Sequence, residues 1–155
     1  MRKIKILFVC HGNICRSPMA EFVLKDMVKS GGLSDRFYIA SAATSTEEIG
    51  NPVHYGTVNK LREVGISTAG KCAVQLRKAD YDKYDYLIGM DRYNIRNIER
   101  MTGHRSGKIF KLLEFTGSDE DVADPWYTHD FARTYEDIVK GCEGFLDYLK
   151  ERGEL

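Results

Sequence analysis

Cys10 and Arg16, separated by five residues in Val9-Cys10-His11-Gly12-Asn13-Ile14-Cys15-Arg16-Ser17-Pro18, pair a nucleophile with a fixed cation. The thiol follows an apolar run, Ile6-Leu7-Phe8-Val9, that reads as a buried strand. Ser17-Pro18 opens a helical pattern, with Ser17 as N-cap and Pro18 at the first helical position. The segment between must curl back on itself. A loop between a strand end and a helix N-terminus points several backbone N–H groups into one small space, and the helix dipole adds to the pull on an anion. His11, Gly12, Asn13, Ile14 and Cys15 would supply that nest. Cys10 would lie at its floor, and Arg16 would clamp two oxygens of one phosphoryl group in a bidentate fork. The residues describe a phosphate cradle with a nucleophile at its base.

A cysteine five residues before an arginine is by itself a weak signal. The strand before it, Gly12 within it and Ser-Pro after it make the signal specific. On these residues the chain resembles the low-molecular-weight protein tyrosine phosphatase family. Its signature, a strand followed by Cys-x-Gly-Asn-x-Cys-Arg-Ser-Pro, is matched by Cys10, Gly12, Asn13, Cys15, Arg16, Ser17 and Pro18. The chain's length and a distant motif, Asp124-Pro125-Trp126-Tyr127, fit as well. The resemblance implies removal of phosphate from phosphotyrosine in proteins and from small aryl phosphates, without metal or cofactor.

In that chemistry the Cys10 thiolate attacks phosphorus in line and forms a cysteinyl-phosphate that water then hydrolyses. Cationic, helix-end surroundings favour the thiolate, and Arg16 stabilises charge on the equatorial oxygens. Ser17 both caps the helix and donates its hydroxyl to Cys10, easing departure from the intermediate. Asn13 suits a left-handed backbone. The resemblance ties it to Ser41, in the loop after the second strand; where the family often adds a His, this chain has Gly70-Lys71. Asp124 would protonate the phenolate leaving group and then activate water, with Pro125 stiffening its loop. Trp126 and Tyr127 either pack under that loop or line a deep cleft that stacks on a phenyl ring. Ile14 and His11 would form the opposing wall, with Ile14 projecting into the mouth. Cys15 reads equally as a small buried thiol and as a resolving thiol that traps oxidised Cys10 as a disulfide; the resemblance favours the second. Cys142 lies on an apolar helical stripe, and Cys72 has no neighbour in sequence to pair with. His54, His104 and His129 read as surface or packing residues.

Strand-like and helical patterns alternate around these motifs. Ile4–Val9 reads as a strand, Pro18–Val28 as a helix closed by Gly31-Gly32, and Phe37–Ala40 as a short strand before a small-residue loop, 41–45. A helix follows from His54 to Val64. Tyr86–Met90 is a buried strand, Asp91 caps the next helix, and Lys108–Leu113 is a fourth strand. A last helix carries Tyr135, Ile138, Val139, Cys142, Leu146 and Leu149 on one stripe. This alternation predicts a single α/β domain over residues 1–155, a four-stranded parallel sheet with helices on both faces. The site would lie at the carboxyl ends of the strands.

The chain has 155 residues, with 23 basic residues against 23 acidic ones, so no global field holds nucleic acid or an anionic membrane. No apolar stretch approaches a membrane span and no signal-peptide pattern is present. The four cysteines form neither a secreted disulfide framework nor a zinc spacing. The expectation is a cytoplasmic, redox-sensitive enzyme, monomeric with at most weak dimerisation, acting on tyrosine-phosphorylated proteins. Related readings fit less well. Thioredoxin-coupled arsenate reductases need further cysteines in a region where this chain has none. Phosphoarginine phosphatases place Thr where Ile14 stands. A phosphotyrosine-binding module without turnover would not need Cys10, Arg16 and Asp124 together.

Overall fold

Alternation along the first strand sets the layering in the computed structural model, which describes residues 2–105 and 107–155. Strand β1 (Ile4–Cys10) turns Ile4, Ile6, Phe8 and Cys10 into one core and Leu7 and Val9 into another, because successive side chains leave opposite faces. A strand apolar on both faces belongs in the middle of a sheet. β1 is indeed central: β2 (Phe37–Ala43) and β3 (Tyr86–Gly89) flank it, and β4 (Ile109–Lys111) lies outside β3. All three pairings are parallel.

Helices cover both faces of the sheet. On one, Met19, Val23 and Leu24 of α1 (Arg16–Ser30) meet Ile138, Cys142 and Phe145 of α6 (Phe131–Glu151). On the other, Ile98 of α4 (Arg92–Thr102) packs on Leu7, Val9 and Leu87. The remaining helices are short: α2 (Tyr55–Glu63), α3 (Asp80–Lys83) and α5 (Pro125–Thr128). In the order β2-β1-β3-β4 the chain leaves β1 in opposite directions to its two neighbours. That opens a crevice at the carboxyl ends of β1 and β3, where such sheets bind ligands. Cys10 ends β1, and Asp91 follows β3 by two residues.

Several boundaries differ from the sequence reading. β2 continues through Ser41-Ala42-Ala43, where a loop was expected, because Ala42 and Ala43 pair with Val9 and Cys10. The fourth strand is shorter than Lys108–Leu113: Leu112–Thr116 forms a 3₁₀ turn that buries Leu112 and Leu113. The helix expected from Pro18 starts at Arg16, with Cys15 at the cap position and no side-chain cap bond. Ser17 is therefore not the N-cap; its hydroxyl is committed to Cys10. His54 lies outside α2 and caps it, with Nδ1 accepting from the Gly56 N–H at 3.1 Å. Asp91 does cap α4, in a reciprocal box with Asn94.

Candidate active site

The loop after β1 wraps around the Cys10 sulfur. The Asn13 N–H donates to Sγ at 3.3 Å, the Ser17 N–H donates at 3.4 Å, and the Ser17 hydroxyl lies 3.0 Å from it. Asn13 makes this turn possible at φ +59°, a region Asn tolerates through its short polar side chain. Its amide then ties three segments together. Nδ2 donates to Ser17 Oγ at 2.8 Å and to Ser41 Oγ at 2.9 Å, while Oδ1 accepts from the Val74 N–H at 3.1 Å. The expected Asn13–Ser41 link is present.

Arg16 is almost fully buried, at 3% exposed, and its guanidinium spans the crevice. Nη1 donates to Asp91 Oδ2 at 2.7 Å and to the Val122 carbonyl at 2.9 Å; Nη2 reaches Asp124 Oδ2 at 3.4 Å. Burial opposes its charge, but Cys10, Asp91 and Asp124 outweigh that and raise its pKa above the ordinary arginine value. Asp124 also caps α5, its Oδ1 accepting from the Trp126 N–H at 3.0 Å. Pro125 behind it takes the first helical position, where the missing N–H costs nothing.

A cleft of about 360 Å³ opens above Cys10. His11, Gly12, Ile14, Cys15, Asp124, Trp126 and Tyr127 all line it with Cys10 and Arg16. Trp126 and Tyr127 are 53% and 79% exposed, so they form walls and do not pack beneath the loop. Ile14 differs from its expected pose: it lines the cleft but is 9% exposed, held with Cys15, Ala73 and Phe131. Cys15 is buried, and its thiol is pushed up to about 12 by burial, by the neighbouring Cys10, and by Asp124 and Glu48. Cys142 is buried in the core and Cys72 is exposed. His54 stacks on Phe131 and Tyr55 and meets Trp126 edge-on. His104 stacks on Tyr81, and His129 ends α5 at φ +59°.

A thiol in a backbone nest, faced by a guanidinium and a carboxylate, meets its family in comparison with known proteins. The model described as low molecular weight phosphotyrosine protein phosphatase matches residues 5–155. The chain belongs to that family. The phosphatase is 40% identical over 155 residues to the low molecular weight protein-tyrosine-phosphatase YfkJ of Bacillus subtilis strain 168, covering 98% of this chain and 99% of that one. The crystal structure of YfkJ superposes with a TM-score of 0.93 at 41% identity, covering 98% of both chains. The structure of DARP, a Drosophila arginine phosphatase, superposes with a TM-score of 0.86 at 31% identity, covering 95% of this chain and 98% of that one. Cysteine-dependent catalysis is general to this family.

Sequence reasoning missed five contributors to the phosphatase's site. Asp91 was read only as a helix cap, yet it also anchors Arg16. Glu21, 5% exposed, accepts from the Ser41 hydroxyl at 2.6 Å and from Lys25 Nζ at 2.6 Å. Lys71 fills the place where a His was sought: its Nζ donates to the Ser41 carbonyl at 2.9 Å and lies 3.7 Å from Glu21. Burial lowers the Lys71 pKa, and Glu21 offsets part of that shift. Glu47 and Glu48 complete the cleft wall beside His11. One-turn spacing from Ser17 could have flagged Glu21 as facing the loop; nothing local marks Lys71 or Glu48.

Proposed function

We propose that this phosphatase hydrolyses phosphotyrosine in proteins, and small aryl phosphates, through a cysteinyl-phosphate on Cys10. The observation that carries the reading is the Cys10 sulfur encircled by Asn13 N–H, Ser17 N–H and Ser17 Oγ. Three polar groups converging on one sulfur hold it in place as the nucleophile. The in-line attack forms the S–P bond and breaks the P–O bond to the phenol, whose oxygen takes its proton from Asp124. Water, activated by the same carboxylate, then cleaves S–P, and Ser17 Oγ stabilises the departing thiolate. Asp91 and the Val122 carbonyl hold Arg16 by Nη1, so the guanidinium is already oriented. The longer Nη2–Asp124 contact is the one that yields when phosphate arrives. Arg16 then forks onto two equatorial oxygens and Asp124 is released towards the leaving group.

Trp126 and Tyr127 stack on the phenyl ring, with His11 and Ile14 opposite. Substrates are tyrosine-phosphorylated proteins of the cytoplasm, met by a monomer that dimerises weakly at most; no metal or cofactor takes part. Peroxide would oxidise the Cys10 thiolate to a sulfenic acid. The Cys15 sulfur would then displace its hydroxyl as water, forming a disulfide. Cys15 stays protonated before that step, because burial above all raises its pKa.

Phosphoarginine is the second reading, favoured by the likeness to DARP. Ile14 argues against it. A branched apolar wall leaves a guanidinium N–H unpaired, which costs about 1–3 kcal/mol, or roughly ten- to a hundredfold in rate. A phosphotyrosine peptide is therefore expected to exceed phosphoarginine in kcat/KM, and Ile14→Thr to narrow the gap. A wild-type preference for phosphoarginine would move the substrate assignment while leaving the Cys10 chemistry in place.

A further inference from the structure

Glu47 and Glu48 have no part in the phosphoryl transfer just described, yet both line the cleft. Glu48 packs against the phosphate loop itself: a Cβ built on Gly12 would lie 3.4 Å from Glu48 Cγ. Its Oε2 accepts from Asn51 Nδ2 at 2.6 Å, which fixes the carboxylate. Glu47 is more exposed, and its Oε2 lies 2.9 Å from His11 Nε2. The segment carrying them is fastened to the catalytic loop, with the Thr44 N–H on the Cys10 carbonyl and the Ser45 N–H on the His11 carbonyl, both at 3.0 Å. Its far end is fastened too: the Gly50 N–H donates to Ala73 O at 2.9 Å and the Ala73 N–H to Asn51 O at 2.8 Å. The two carboxylates therefore keep their place beside the entering phosphate.

Arg16 is the one lysine or arginine among the described residues lining this cleft, and Asp91 and Asp124 already engage it. A phosphoryl dianion must thus pass a wall that is net negative. A substrate that brings its own cation to that wall relieves the repulsion; one that brings another carboxylate adds to it. We infer that Glu47 and Glu48 select phosphotyrosine flanked by Lys or Arg and reject phosphotyrosine flanked by Asp or Glu. The inference rests on the phosphotyrosine reading above and narrows it to one class of substrate. Glu48 carries the larger share, since it packs against the phosphate loop and its own partner, Asn51, is neutral.

The test compares kcat/KM for three phosphotyrosine peptides alike except for Lys, Ser or Glu at the two flanking positions. Taking the ratio between peptides on one protein cancels any change in folding or overall activity. Each exposed charge pair is worth roughly threefold, so with two attractive pairs for Lys and two repulsive ones for Glu the wild type should favour the Lys peptide over the Glu peptide by up to about a hundredfold at low salt. That ratio should shrink at high salt, approach unity in the Glu47→Gln/Glu48→Gln variant and invert in Glu47→Lys/Glu48→Lys. A wild-type ratio near one, or a preference that survives in the Gln variant, overturns the inference while turnover of all three peptides leaves the phosphotyrosine reading standing. If none of the peptides is turned over but p-nitrophenyl phosphate is, the phosphotyrosine reading fails and takes this inference with it.

Discussion

With its backbone at φ +59° and its amide bonded to Ser17, Ser41 and the Val74 N–H, Asn13 turns the loop back over Cys10. The geometry around the sulfur follows from that one residue more than from any other. Asp124 has two duties: Oδ1 caps α5 and Oδ2 faces Arg16. An Asn at this position keeps a cap acceptor and loses the transferable proton. Asp124→Asn is therefore expected to slow phenyl phosphate, with its poor leaving group, by two or more powers of ten, within the usual span of general acid catalysis of about 10²–10⁴. p-Nitrophenyl phosphate, with its good leaving group, should lose far less. Equal losses across a series of leaving groups would assign the proton to another donor. Cys10, Asn13 and Arg16 were legible in sequence because their types and spacing carry the chemistry locally, and Ser41 only through the family resemblance. Asp91 and Lys71 were not, since each reaches the site only through folding of a distant segment.

At the scale of elements, α6 packs closely on the turn after β4. Two glycines make that approach possible. A Cβ on Gly141 would lie 2.4 Å from Leu112 Cγ, and one on Gly144 would lie 2.7 Å from the Phe115 carbonyl oxygen. Gly141→Ala should destabilise the fold by about 1–3 kcal/mol through overpacking, despite alanine's better helix propensity. Urea unfolding measures this directly; unchanged or increased stability would mean that Leu112 yields freely. The sequence showed α6 as an amphipathic helix from its apolar stripe, but a close backbone approach leaves no periodic trace. The same limit applies to β2. Ser41-Ala42-Ala43 has the composition of a loop, and only pairing with Val9 and Cys10 makes it strand. It is this extension that carries Ser41 to the level of Asn13.

On the scale of the whole molecule, the parallel sheet and its crevice were readable from alternating patterns, because β1 is apolar on both faces and must lie inside. Strand order was not readable, yet it is what brings Asp91, after β3, beside Arg16, after β1. With basic and acidic residues in balance at 23 each, long-range attraction does not gather anions. The site must hold phosphate by geometry, which makes the covalent step the centre of the account. A phosphotyrosine peptide mixed with enzyme and quenched under denaturing conditions within the first turnover, followed by peptide mapping, observes that step. Phosphate is expected on the Cys10 peptide, appearing as fast as tyrosine is released and absent from Cys10→Ser, which should be inactive. Phosphate on another residue, or steady turnover by Cys10→Ser, would contradict it.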